Sequence, residues 1–408
     1  MNINKWAAIF AAVFCLILCT AVFAETEQDN PGTPQVEKKE QRVIKHLIFI
    51  SVGGLTDEKI RSAYTPNING LAAGGIKTSA VGALPPNPRA FTASLLTGSD
   101  VSIHGYTGSG MKPKTQLLPE IICKYGKSSA FIAYEERFPE GLFQEKGGVR
   151  VYKVKDGGNK GVIDEAIKVF KETEPYFMGL DLPGLNPGEK EQENKTIIAK
   201  AVNDIDEQIG RLLIILSTKG LYDECLIVVT GCGITEGSGI TESRIRAPED
   251  DLLMAPVTMT GPGLKSGTVV PPVNITDITP TVALLTGIHT APEANGMVLW
   301  NALMPGNGFL EENLLRKRIK DLSEQNARLT GLSYKLEEEK RQVRIEKEKV
   351  LGEKEGIQNT IDNKDSQING LKRKTGLLKL VEAVTVLVMG AGYVLEYYYL
   401  RKKFLMFS

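Results

Sequence analysis

The chain offers few side chains from which to build a catalytic centre. Its 408 residues include only three histidines, His46, His104 and His289, a low count for an enzyme that holds metal through imidazole. Cys232, between Gly231 and Gly233 at the end of an apolar run, has the placing of a strand-end thiol. No His or basic residue adjoins it in sequence to stabilise a thiolate, which favours a small buried residue. Arg89, near a helix start, could hold an anion together with backbone N–H groups; a surface arginine is the simpler reading. The glycines from Gly231 to Gly239 lack the Lys-Ser/Thr ending of a phosphate loop and read as strand-end turns.

Composition narrows the classes. Forty-nine basic and forty-nine acidic residues balance, and a nucleic-acid binder would show a basic domain or stripe. A 42% hydrophobic share excludes wholesale disorder, and five cysteines are too sparse for a disulfide scaffold in so long a chain.

The elements that must position these residues alternate. Val43 to Val52 is a nearly unbroken apolar run ending at Gly53-Gly54, the pattern of a strand buried on both faces in a parallel sheet. Ser129–Tyr134, Tyr176–Leu182, Leu226–Thr230 and Pro256–Thr260 are further short apolar runs. Helical patterns fall between them at Gly161–Glu172 and Glu191–Lys219, with a last helix at Ile278–Leu285. The spacing predicts an α/β domain over residues 44–306, its mainly parallel sheet carrying helices on both faces.

The flanks differ in kind. Lys5, the apolar run Trp6–Val22 and the small residues Val22 and Ala24 predict a signal peptide over 1–24; an uncleaved anchor is the alternative. Residues 25–43 read as a polar tether. Removing the signal leaves Cys123, Cys225 and Cys232, an odd number. Beyond Phe309, Leu315, Leu322, Leu329, Leu336, Val343, Val350, Ile357, Lys364 and Leu371 form a seven-residue ladder. Four residues after each of the first eight come Ile319, Asn326, Ser333, Lys340, Lys347, Lys354, Ile361 and Ile368. These are the d and a seams of a coiled coil over 309–375, with polar a positions that favour a parallel homodimer. Residues 377–400 have the length and apolarity of a transmembrane helix. The tyrosines at 393 and 397–399 and the basic tail Arg401-Lys402-Lys403, within 401–408, mark its cytoplasmic end. A single-pass membrane protein follows, with its main domain extracytoplasmic (periplasmic or lumenal).

Several stretches in order resemble the alkaline phosphatase superfamily, closest to its type I phosphodiesterase/nucleotide pyrophosphatase and sulfatase branches. They are His46–Leu55; Thr65-Pro66-Asn67-Ile68-Asn69-Gly70-Leu71-Ala72; Ala93–Gly98 with His104-Gly105-Tyr106; Val202–Leu216 with Asp206; Leu226–Thr235; Ala255–Gly263; Thr276–Thr281; and Gly287 to Leu299. The resemblance implies a two-metal hydrolase with a Ser or Thr nucleophile and Asp and His ligands at strand ends. The required residues are missing. Gly53-Gly54 stand where the family has Asp-Gly. The nucleophile position falls on Pro88, within Leu84–Phe91, which has no Ser, Thr or Cys. Pro183-Gly184-Leu185-Asn186-Pro187-Gly188 replaces the Asp-x-x-x-His pair, leaving Asp181, inside a strand, as the nearest carboxylate. Thr230-Gly231-Cys232-Gly233 replaces Ser-Asp-His-Gly, and no His lies between Ile234 and Ala255.

The sequence therefore predicts a vestigial cleft at Gly53, Gly54, Asn87, Pro88, Arg89, Gly231 and Cys232, with no catalytic residue, metal or cofactor. The expected protein is a membrane-tethered pseudoenzyme that binds or scaffolds an unidentified protein partner and does not bind nucleic acid. The competing expectation is a divergent phosphodiesterase or sulfatase-like hydrolase using other residues in the same crevice.

Overall fold

The structure is a computed structural model that describes residues 43–84, 86–108, 110–185, 194–232, 254–306 and 310–405. The expected signal peptide and nearly all of the tether lie outside these residues.

Strand β1 (His46–Gly53) is buried at every position, as its unbroken apolar run requires. Helices α1 (Asp57–Arg61) and α2 (Pro66–Gly74) lead to β2 (Ile76–Val81), and α3 (Pro88–Thr97), α4 (Val101–His104) and α5 (Leu118–Lys124) lead to β3 (Ser129–Tyr134). Then come β4 (Arg150–Val154), α6 (Gly158–Thr173), β5 (Phe177–Leu182), α7 (Lys195–Thr218), β6 (Cys225–Cys232), β7 (Met254–Thr260) and the short β8 (Thr268–Val269) and β9 (Val273–Asn274). The described chain closes with α8 (Ile278–Thr286) and α9 (Glu311–Leu405).

Strands run in the order β4-β3-β5-β1-β6-β7-β2-β8, with β9 also on β2. The five strands from β4 to β6 are parallel, while β7 runs antiparallel to both β6 and β2. The sheet is thus mixed and mostly parallel. Successive side chains of a strand point to opposite faces, and β1 shows the result. Leu47 and Phe49 join Phe91, Leu95, Ile122, Ile278 and Val282 on one face; Ile48 and Ile50 join Ile163, Phe170, Ile205, Ile209 and Leu212 on the other.

Helix α7 begins where Asn194 accepts the Thr196 and Ile197 N–H groups and buries Val202, Ile205, Ile209, Leu212 and Leu216 at helical spacing. Four strands go unforeseen in the sequence, the short β8 and β9 and the longer β2 and β4. β2 alternates buried and half-buried positions around Lys77 and Ser79, and β4, at the sheet edge, has exposed Arg150, Val151 and Lys153 with half-buried Tyr152 and Val154.

The chain divides into two compact units at Arg318. Within the first, Leu314 is buried, Arg318 pairs with buried Asp277 at 3.6 Å, and Lys317 stands over the Trp300 ring. Burial pushes the Asp277 carboxyl above its usual range, and the Met297 N–H and the Arg318 charge pull it back. The second unit, from Ile319, is a single helix whose apolar side chains, Leu322, Leu329 and Leu336 among them, are exposed along its length. Among the described residues this one helix is long and apolar enough to cross a membrane.

Candidate functional site

The carboxyl ends of β5, β1 and β6 lie side by side, the place where an open α/β sheet builds its site. Gly53 is in register with Cys232, and Val52 with both Leu182 and Gly231. Backbone hydrogen bonds stitch these ends together. The Gly54 N–H donates to the Cys232 carbonyl at 2.6 Å, and the Leu185 N–H donates to the Gly53 carbonyl at 2.9 Å. Lys59 Nζ donates to the Gly54 carbonyl at 2.7 Å. Asn159, in the first turn of α6, fixes the turn after β5: its amide donates to the Gly184 carbonyl at 2.9 Å, and its Oδ1 accepts the Gly184 N–H at 2.7 Å.

Arg137 fills the space in front of Gly53. It ends a 3₁₀ turn, Glu135–Arg137, directly after β3, and its side chain is 6% exposed. Nη2 donates to Asp181 Oδ1 at 3.3 Å, and the Asp181 side chain is 3% exposed. A Cβ on residue 53 would overlap Arg137 Nη1 and come within 2.5 Å of the Pro183 carbonyl oxygen. A guanidinium therefore occupies the space that a side chain at position 53 would enter. On β6, a Cβ at Gly231 would collide with the Leu55 carbonyl oxygen, so no acidic side chain fits there either.

The start of α3 is equally occupied. Asn87 caps the helix, its Oδ1 accepting the Arg89 N–H at 2.8 Å and the Ala90 N–H at 3.1 Å. Its amide donates to the Thr107 carbonyl at 3.1 Å. Pro88, buried at the first helical position, has no N–H to offer. The N–H groups that would greet an anion are thus engaged by the chain itself. Arg89 is not a simple surface arginine. Half-buried, it donates from Nη1 to the Gly108 carbonyl at 3.4 Å and from Nη2 to the Glu136 carbonyl at 3.2 Å, tying α3 to the turn that carries Arg137.

The histidines are apart and structural. His46 Nδ1 donates to the Pro175 carbonyl at 2.9 Å, and the ring packs edge-on to Phe170. His104 Nδ1 accepts the Tyr106 N–H at 3.0 Å, which leaves the proton on Nε2 to donate to Ser94 Oγ at 3.0 Å. Burial pushes His104 down to about 4 against the pull of Asp100. His289 is exposed. Asp206, in the part of α7 that carries the resemblance, caps α2 by accepting the Asn67 and Ile68 N–H groups at 3.1 and 2.8 Å.

None of Cys123, Cys225 and Cys232 is in a disulfide. Cys232 is buried, and burial raises the Cys225 thiol to about 12. Among the described residues no three His, Cys, Asp or Glu side chains come together as a metal-binding group. The described residues at these strand ends do not fit a two-metal centre: the Arg137 guanidinium stands in front of Gly53, and Gly53, Pro183, Gly184 and Gly231 offer no hard side-chain ligand.

Sequence reasoning located the strand ends. It missed Arg137 and Asn159. Arg137 follows two glutamates in a short charged turn that reads as surface, and only its buried pairing with Asp181 reveals its place.

The mixed, mostly parallel sheet with its flanking helices has counterparts among known structures. The chain is similar to Ps i-CgsB in complex with k-i-k-neocarrahexaose, at a TM-score of 0.50 and 16% identity over 63% of this chain and 75% of that one. Murine ectonucleotide pyrophosphatase/phosphodiesterase 5, in an inactive T72A form with AMP, matches at a TM-score of 0.48 and 11% identity over 63% of this chain and 97% of that one. A phosphonate monoester hydrolase from Silicibacter pomeroyi matches at 0.46 and 15% identity over 63% and 76%. At such identities the likeness is one of fold. No protein-family model matches the sequence, and no curated protein matches it.

Proposed function

We propose that the protein is a membrane-anchored pseudoenzyme. Its alkaline phosphatase-like unit is exported and held outside the cytoplasm by the span at 377–400. It acts as a binding or scaffolding module on a dimeric coiled-coil stalk. The observation that carries this reading is Arg137: a buried guanidinium, held by Asp181, stands in the space in front of Gly53. A permanent organic cation there satisfies the buried carboxylate without offering the open coordination positions that metal-assisted hydrolysis uses. The capped start of α3, with Pro88 at the nucleophile position, supports the same reading.

The test is turnover by the purified full chain in detergent, supplied in turn with zinc, manganese and magnesium. Phosphomonoester, phosphodiester and sulfate ester substrates should all stay at background. Hydrolysis that co-purifies with the chain and is lost in Cys232→Ala would overturn the reading and put a thiol nucleophile in the cleft.

A further inference from the structure

From Leu380 to Glu396 the carboxyl and aliphatic hydroxyl groups of helix α9 fall on one line, and it is the line of the stalk seam. Helix α9 is unbroken from Glu311 to Leu405, so the seven-residue count continues across the boundary between stalk and apolar segment. The a positions Ile361 and Ile368 lead to Thr375, Glu382, Met389 and Glu396. The d position Leu371 leads to Leu378, Thr385, Gly392 and Tyr399. From Leu380 to Glu396 the carboxyl and aliphatic hydroxyl groups belong to Glu382, Thr385 and Glu396, and all three lie on the seam. With two seam positions in seven, chance gives that arrangement roughly one time in forty.

An ionisable or hydrogen-bonding side chain facing hydrocarbon is costly, and such residues turn toward a protein interior or a neighbouring helix. The Thr385 hydroxyl donates to the Val381 carbonyl of its own helix at 2.8 Å, which leaves its oxygen as an acceptor. An ion pair with Lys379 would neutralise Glu382 but would not account for Thr385 and Glu396. A straight helix drifts only about 20° per heptad from a 3.5-residue repeat, so three heptads keep these positions on one stripe. Gly392 on the same stripe allows close backbone approach.

We propose that the span pairs with the span of a second copy of this chain along the stalk seam, with Glu382, Thr385 and Glu396 turned toward the partner helix rather than toward lipid. The inference rests on the proposed stalk homodimer and adds that the dimer continues through the membrane in the same register. Polar groups facing each other across such a pair act as interhelical hydrogen-bonding partners.

The test uses the full chain in native membranes, with Cys15, Cys19 and Cys123 replaced by alanine; Cys225 and Cys232 are buried. Single cysteines are introduced on the span seam (Leu378→Cys, Thr385→Cys, Gly392→Cys) and on its opposite face (Leu380→Cys, Leu387→Cys, Val394→Cys). The same contrast is made in the stalk, with Leu329→Cys and Leu336→Cys against Gly331→Cys and Glu338→Cys. Mild oxidation should give covalent dimers at the seam positions of both segments and several-fold less on the opposite faces. Stalk cross-links in register with uniform, absent or out-of-phase cross-links in the span would overturn the inference and leave the stalk dimer standing. Absence of cross-links in both segments would overturn the two together.

Discussion

Arg137 and Asp181 form a buried ion pair with 3.3 Å between Nη2 and Oδ1, and the guanidinium lies where a side chain on Gly53 would begin. The pair joins the turn after β3 to the neighbouring strand β5. It closes the space in front of Gly53 with a contact between that turn and the strand. Desolvating two charges is costly, and removing one leaves the other buried and uncompensated. Arg137→Ala and Asp181→Ala should therefore each cost about 3–5 kcal/mol of stability. Replacing both, as Arg137→Met with Asp181→Leu, should recover most of that loss. Chemical denaturation of the four-member cycle measures the coupling; additive losses would show that the two residues act independently.

Restoring a single ligand should fail for a steric reason as well as a chemical one. Gly53→Asp places its Cβ against Arg137 Nη1 and the Pro183 carbonyl, an overpacking expected to cost about 1–3 kcal/mol. Its carboxylate would meet a guanidinium and not a metal. The variant should melt lower than wild type and take up no zinc. Gly231→Asp should be hit harder, since its Cβ comes within 2.1 Å of the backbone oxygen of Leu55, against 2.5 Å from the Pro183 oxygen at position 53.

The α3 cap offers a smaller, separable effect. Asn87→Ala removes the acceptor for the Arg89 and Ala90 N–H groups and should cost about 1 kcal/mol. Asn87→Asp, which keeps an acceptor oxygen and places a negative charge at the helix start but loses the amide donor to the Thr107 carbonyl, should fall between wild type and Asn87→Ala.

His104 makes stability depend on pH. Its folded-state pKa, about 4, lies below the ordinary histidine value of 6.5, so above pH 6.5 the ring is neutral in both states and contributes no slope. Between pH 6.5 and 4 the unfolded chain binds a proton that the folded chain refuses, and stability falls as pH falls. His104→Gln should be less stable than wild type at pH 7, and the gap should narrow toward pH 4.5. A gap that holds constant across that range would contradict the assignment.

Particular residues show what the sequence could and could not reveal. β1, β3 and the α7 face follow from apolar runs and helical spacing, because full burial leaves an unambiguous pattern. β2 and β4 did not, because half-exposed strands such as Ile76–Val81 and Arg150–Val154 mix lysine, serine and tyrosine with the apolar positions. The glycines at the ends of β1 and β6, Gly53 and Gly231, were visible in the sequence as residues without a side chain to offer. The closure of the crevice was not, because it depends on long-range geometry. Arg137 reaches Asp181 from 44 residues away, and Asn159 holds Gly184 from the start of α6. Neither pairing leaves a local pattern.

The most direct measurement is metal uptake by the purified full chain, by equilibrium dialysis against zinc and manganese, with the melting temperature recorded alongside. A ligand that binds only the folded state at a hundred times its Kd stabilises it by about 2.7 kcal/mol, so a real site would show in both readouts. With Arg137 in front of Gly53, the chain should retain no stoichiometric metal after desalting, and its melting temperature should not move. One or two retained equivalents with a raised melting temperature, abolished by Asp181→Ala, would contradict the pseudoenzyme assignment and show that Asp181 holds a metal and not a guanidinium.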